Sequence, residues 1–252
     1  VARDDFIDLR IPDPHKTAIY IANTYAYIHH NTGSKRRNQL DDKAKTMSND
    51  TKFWDKMAAG YAKSAIGDEE SYQIKLAKTR EYFTAETEVL EFGCGTGSTA
   101  ITHAPHVKHI LATDISQNML DIARAKTADA GIENITYEQT TLDALDAPEQ
   151  SFDVILGLSI LHLLRDRRDA ITRTHDLLKP GGVFISSTIC MANRLWWMAP
   201  FMTLGRWFGM LPVLRFFTTS QLVASLKEAG FEIEHQWSPK KSQTAFIVAR
   251  KV

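Results

Sequence analysis

From residue 47 onward the hydrophobic positions alternate between the spacing of helices and that of strands. Apolar residues three and four apart over 51–65 and 69–83 predict two helices, which lead into the short apolar run "VLEF" at 89–92. A helix beginning near Gly97 ends before Pro105, and "HILAT" (109–113) reads as the second strand. Ser116 caps "QNMLDIARAKTADA", which Gly131 closes. "NITYEQT" (134–140) and "FDVILGL" (152–158) are the third and fourth strands. A helix around 167–178 stops at "KPGG", where Pro180, Gly181 and Gly182 read as a helix stop and turn before the fifth strand, "VFISSTI" at 183–189. Thr218 and Gln221 form a capping box for "SQLVASLKEA", ended by Gly230. "FEIEHQW" and "TAFIVAR" close the chain as neighbouring strands. Five strand–helix alternations before this pair predict an α/β fold, a doubly wound sheet with helices on both faces.

Residues 1–46 have a different character. "DPHKTAIYIANTYAYIHH" is helix-like, with Asp13 as N-cap and Pro14 at the first helical position, and a polar, basic stretch follows it. The segment reads as an N-terminal extension, either a lid helix with its linker or a piece foreign to the fold, and the domain proper as 47–252. His29 and His30 are adjacent and so do not share a helix face, which gives no expectation of a metal site.

Thirty basic and thirty acidic residues cancel, so no global field argues for nucleic acid as a partner. The two cysteines, Cys94 and Cys190, follow no metal-ligand spacing, and a reducing, cytoplasmic setting is the simplest expectation. Neither a signal-like apolar segment nor an uninterrupted apolar 18-mer is found, which argues against secretion and membrane spanning.

The candidate chemistry begins at "VLEFGCGTGSTA", with Gly93, Gly95 and Gly97 at alternate positions between strand and helix. Such a turn presents backbone N–H groups to a ligand without side-chain obstruction. A tight turn or a dinucleotide fingerprint are the other readings, but the fingerprint wants G-x-G-x-x-G and position 98 is Ser. Asp114 follows Gly93 by 21 residues, at the end of the second strand. A carboxylate there can accept both ribose hydroxyl protons, or can simply cap the helix that starts near Ser116. Cys94 suits a small space-filler better than a nucleophile.

"LEFGCGTG", "ATDIS", "SFDVI" and "LKPGG", in this order and spacing, resemble the class I S-adenosylmethionine-dependent methyltransferases, in particular the group with the ubiquinone/menaquinone C-methylases. The resemblance covers about 50–190 by motif and reaches the C-terminus by element order. It implies a seven-stranded Rossmann-like sheet ordered 3-2-1-4-5-7-6 with strand 7 antiparallel, and S-adenosyl-L-methionine as cofactor. It also implies that Gly93, Cys94, Gly95 and Gly97 admit the methionyl part, with Glu91 reaching its ammonium through water. Asp114 would hold the ribose, Ile115 and Met119 would flank the adenine, and Leu158 and Ser159 would line the methyl-donor side. The family often has "G-D-A" after the third strand; here Thr140, Thr141 and Leu142 stand there, leaving the adenine amino group to Asp143 or the Thr141 hydroxyl.

Methyl transfer from a sulfonium needs an acceptor held near attack distance with water excluded, and a base only for phenols, alcohols or carbon acids. His162, just past the fourth strand, is the base candidate, or a packed histidine at a helix start. Tyr61 stands where relatives fold an aromatic over the cofactor, or is an ordinary core tyrosine. "LWWMAPFMTLGRWFGMLPVLRFF", 195–217, holds seven of the chain's twenty-four aromatics, and no acid occurs between Leu177 and Lys227. Within a lid at 191–217, that composition suits burial against the domain or a second subunit in a homodimer. It equally suits a pocket for a hydrophobic or amphiphilic acceptor, such as a quinone precursor or a lipid amine, with peripheral contact to the inner membrane face. The alternative to a methyltransferase is a binding protein that keeps the nucleotide fold without turnover and uses this segment for partner or membrane contact.

Overall fold

A computed structural model describes residues 48–64, 67–190, 192, 214–239 and 243–252. The chain divides into two units, Val1–Ser48 and Asn49–Val252, and the sheet belongs to the second. The 1–46 extension and most of the 191–217 lid lie outside the described residues.

Helix α1 covers 48–63. It is followed by α2 (Glu69–Arg80), β1 (Glu88–Phe92), α3 (Ser98–His103) with a 3-10 turn at Ala104–His106, β2 (His109–Asp114) and α4 (Gln117–Asp129). Then come β3 (Ile135–Gln139), β4 (Phe152–Leu158), α5 (Arg167–Leu177), β5 (Leu178–Ile189), α6 (Thr219–Glu228), β6 (Phe231–Trp237) and β7 (Thr244–Lys251). The helix starts are chemically fixed. Asp68, Ser116, Asp166 and Thr218 each accept a first-turn backbone N–H, and Gln221 completes the box on Thr218.

The strands join in one sheet ordered β3-β2-β1-β4-β5-β7-β6. Strands β1 to β5 run parallel, and β7 lies antiparallel between β5 and β6, as the resemblance implies. Alternation along the strands divides the core into two faces. Leu90, Phe92, Ile155 and Phe184 pack with Ile171 and Leu177 of α5 and Leu222 and Leu226 of α6. Val89, Val154, Leu156 and Ile185 pack on the other face with Ala100 of α3 and Leu120 of α4.

Two boundaries depart from the periodicity. α2 ends at Arg80 rather than near 83, where Phe83 N–H turns back to the Arg80 carbonyl and the Phe83 ring meets buried His103 edge-on at 5.0 Å. Strand β5 begins at Leu178, so "KPGG" lies within the strand and is not a turn ahead of it. Fully buried Leu178 already pairs with Phe152, and the register shift between Phe152 and Val154 absorbs the Pro-Gly-Gly irregularity.

The order of the strands reverses at β1, whose neighbours β2 and β4 carry the chain to opposite edges. In a doubly wound sheet the crevice for a ligand opens there, beyond the carboxyl ends of the strands. Both the glycine turn and Asp114 lie at those ends.

Candidate functional site

The glycine turn leaves β1 with three left-handed residues, Gly93 at φ 69°, Gly95 at 55° and Gly97 at 72°. Cys94 N–H donates to the Thr113 carbonyl at 3.0 Å, which lays the turn across the end of β2, and Gly97 N–H donates to the Cys94 carbonyl at 3.1 Å. The glycines serve different ends. A Cβ on Gly93 would stand 2.7 Å from Ile160, and one on Gly97 would stand 2.7 Å from the Tyr137 hydroxyl and 2.8 Å from Ala123. Those two are bare because protein already fills the space. At Gly95 a Cβ meets only Tyr61, at 3.8 Å, so this residue is the one of the three that opens toward the crevice.

Asp114 braces the turn. Its Oδ2 accepts from Gly95 N–H and its Oδ1 from Ser116 N–H, both at 2.9 Å. Burial raises its pKa, and the backbone donors Ser116, Gly95 and Ile115 oppose that shift. The helix cap itself is Ser116, whose Oγ accepts from Met119 N–H. Asp114 therefore couples the ends of β1 and β2, and its two oxygens retain acceptor capacity for further donors.

Glu91 is 3% exposed, and its Oε2 has no hydrogen-bond partner among the described residues. Burial, then the nearby Asp114 charge, pushes its pKa up to about 8. An orphaned carboxylate oxygen next to a bare backbone is a costly arrangement for the chain alone, and it is suited to a cation. The Cys94 thiol is raised well above its usual range by burial and by Glu91 and Asp114, so it is no nucleophile at neutral pH.

Above the turn stands Tyr61, half-exposed in α1, its phenol raised by burial and then by the fields of Asp114 and Glu91. Helix α1 is latched to α4 by Asp55. The Asp55 carboxylate accepts from Ser116 Oγ at 2.6 Å and from Asn118 N–H at 3.3 Å, and Asn118 Nδ2 donates to the Asp55 carbonyl at 3.1 Å. Asp55 was not singled out in the sequence, where only an acid inside a helix marks it.

On the β3 side, Gln139 Nε2 holds the Ile115 carbonyl at 3.0 Å and Thr140 N–H donates to the Asp114 carbonyl at 3.2 Å. Ile115 is half-buried, while Met119 is a core residue at 2% exposure. Leu142 is buried, Asp143 is exposed, and Thr141 Oγ1 is a second buried polar atom without a partner among the described residues.

Beyond β4, half-buried Leu158 packs on the Glu91 face. Ser159 adopts φ 58°, uncommon for a residue with a Cβ, and its N–H donates to the Ser187 carbonyl at 2.6 Å. His162 is 6% exposed, with Nδ1 3.0 Å from Thr188 Oγ1. Strand alternation puts Thr188 on the face opposite Ser187 and Glu91. Burial lowers the His162 pKa to about 4, which leaves the imidazole neutral at physiological pH and weakly basic. Both ends of the lid come to this place, since Ala192 N–H donates to the Phe217 carbonyl and Arg215 N–H to that of His162.

Residues 89–182 match the family model described as "Methyltransferase domain". An uncharacterised methyltransferase of Bacillus subtilis (strain 168) is 32% identical over 142 residues, 55% of this chain and 54% of that protein. A ubiquinone biosynthesis O-methyltransferase of Ruegeria pomeroyi is 33% identical over 155 residues, 59% of this chain and 61% of that one. The chain thus spans little more than half the length of these curated relatives. In fold, the structure of an S-adenosylmethionine-dependent methyltransferase from Mesorhizobium loti superposes with a TM-score of 0.60 at 23% identity, over 73% of this chain and 100% of that one.

Proposed function

We propose that the chain is a class I S-adenosylmethionine-dependent methyltransferase and that it methylates a hydrophobic or amphiphilic small molecule. The observation that carries the reading is the orphaned Glu91 carboxylate beside the open backbone of Gly95. When bound, S-adenosylmethionine supplies a methyl group on a sulfonium, already activated for in-line displacement. Glu91 would face the positive charge of its amino-acid end, and Asp114 would take the ribose hydroxyls. Ile115 would lie against the adenine, with the Thr141 hydroxyl as the partner of its amino group. Tyr61 would close the crevice from above and exclude water, which strengthens every charge interaction inside it.

The chain's part in the reaction is then positioning. Ser159, held in a strained conformation against β5, and Leu158 would border the transferred methyl. His162, neutral and tied to Thr188, would shape the acceptor side rather than carry protons.

Support for the acceptor class comes from two directions. Several curated relatives are named ubiquinone biosynthesis O-methyltransferase, and the aromatic, acid-free segment 195–217 has its described flanks anchored beside His162. No helix among the described residues is long and apolar enough to cross a membrane; the lipid contact we propose is a peripheral one, made by the aromatic, acid-free segment.

The test is incubation with S-adenosylmethionine labelled in the methyl group and a fractionated total lipid and small-molecule extract. Label should appear in an apolar fraction. Tight binding of S-adenosylhomocysteine with no labelled product in any fraction would instead indicate a binding protein without turnover.

A further inference from the structure

Lys75 takes no part in the cofactor contacts above, yet the fold brings it to the same end of the sheet. Helix α2 is fixed at its start by Asp68, which accepts from Ser71 N–H at 3.1 Å and from Ser71 Oγ at 2.6 Å. From the next turn Lys75 Nζ reaches Ser187 Oγ at 3.4 Å. Ser187 pairs with Leu158 in the β5–β4 register, and Glu91 pairs with Leu156 in the β1–β4 register. Alternation sets the side chains of Glu91, Leu158 and Ser187 on one face. Neighbouring strands lie about 4.8 Å apart, so Ser187 is roughly 10 Å across the sheet from the β1 row. Lys75 therefore stands beside the glycine turn rather than in it, next to the strained Ser159.

Its surroundings are poor in compensation. The side chain is half-buried, and burial draws its pKa down against the field of Asp68 on the same helix. Among the described residues its hydrogen-bond partner is a neutral hydroxyl at the loose distance of 3.4 Å, and no carboxylate there forms an ion pair with it. A partly desolvated ammonium in that condition gains strongly from an incoming anion, and it repels a protonated amine.

We propose that Lys75 is a specificity-determining residue that holds an anionic oxygen of the acceptor, a carboxylate or a phenolate, at the end of β5. The proposal rests on the methyltransferase reading of the crevice next to it. It narrows the amphiphilic acceptor to one with an acidic group and sets lipid amines aside.

Binding to the full chain, measured by calorimetry with and without saturating S-adenosylhomocysteine, tests it. The probes are 4-hydroxybenzoate against 4-hydroxybenzamide for a carboxylate, and 4-nitrophenolate against 4-nitroanisole for a phenolate. At least one anion should bind the wild type ten times more tightly than its neutral counterpart. Lys75→Met should abolish that preference and Lys75→Arg should keep it, with S-adenosylhomocysteine affinity within twofold throughout. A wild type without any preference for the anions, a Lys75→Met variant that retains it, or a Lys75→Arg variant that loses it would overturn the proposal. Failure of S-adenosylhomocysteine to bind the wild type would strike the methyltransferase reading instead, since the comparison of anion with neutral probe is read without it.

Discussion

The protonation of Glu91 makes the affinity for a cationic ligand depend on pH in a way that can be worked out. In the free protein burial and Asp114 push Glu91 up to about 8, so at neutral pH the group is mostly protonated. A cation beside it favours the carboxylate, so binding must expel the proton. The ionised fraction of a group with pKa about 8 is roughly a tenth at pH 7 and a hundredth at pH 6. Affinity for S-adenosylmethionine should therefore rise roughly twenty-five-fold between pH 6 and pH 7.5, close to 2 kcal/mol. Calorimetry in two buffers of different ionisation enthalpy should show nearly one proton released per site at pH 7. Glu91→Gln should flatten the pH profile and abolish the proton release. A wild-type profile as flat as that of the variant, or no proton release, would refute the assignment of the cation to Glu91.

Four further outcomes follow from the same geometry. Asp114→Ala should weaken S-adenosylhomocysteine binding at least tenfold, from loss of a charge-assisted contact of about 1.5–3 kcal/mol; because Asp114 also braces Gly95 and Ser116, its melting temperature should fall as well, and unchanged affinity would place the ribose elsewhere. Gly97→Ala should lower stability by more than Gly95→Ala, since its Cβ collides with Ala123 and Tyr137 whereas that of Gly95 adds only the strain of a positive φ, about 1–2 kcal/mol; Gly95→Ala should lose more cofactor affinity, and urea melts beside binding isotherms separate the two. Asp55→Ala should unlatch α1, seen as faster amide exchange over 48–63 and reduced turnover with the sheet's own exchange unchanged. His162, lowered to about 4 from 6.5, binds its proton more readily in the unfolded chain, so stability should fall by about 2 kcal/mol between pH 8 and pH 5 on its account, and His162→Gln should remove that part of the decline in urea midpoints.

The order of the sheet was legible because each strand of the doubly wound part carries its own punctuation. Ser116, Gly131, Thr218 and Gly230 mark ends by local chemistry, which needs no knowledge of distant partners. What failed was decided at a distance. "KPGG" has every local mark of a turn, but Leu178 finds Phe152 across the sheet and the strand starts three residues before the first glycine. Glu91 could be named as a site residue from its place before the turn; that one of its oxygens lacks a partner among the described residues depends on the whole packing around it. Lys75 gave no signal at all, because a lysine in a polar helix is ordinary until its ammonium is found at the end of β5.

The glycine turn shows how one motif divides between folding and function. Had all three glycines faced the ligand, each replacement would cost binding and leave the fold intact. Gly93 and Gly97 instead lie under Ile160 and against Tyr137 and Ala123, so two of the three positions of the motif are required by the protein's own packing. They hold the turn in the shape that lets Gly95 N–H reach Asp114 and leaves its other side bare toward Tyr61. A chain could therefore keep the glycine pattern for stability after losing its ligand. Glu91 shows no such second use among the described residues: a buried acid whose Oε2 has no partner there weakens the fold by itself, and a cation bound beside it would relieve that cost. The acid ahead of the glycines, more than the glycines, is thus the position on which the proposed cofactor site can be tested apart from the fold.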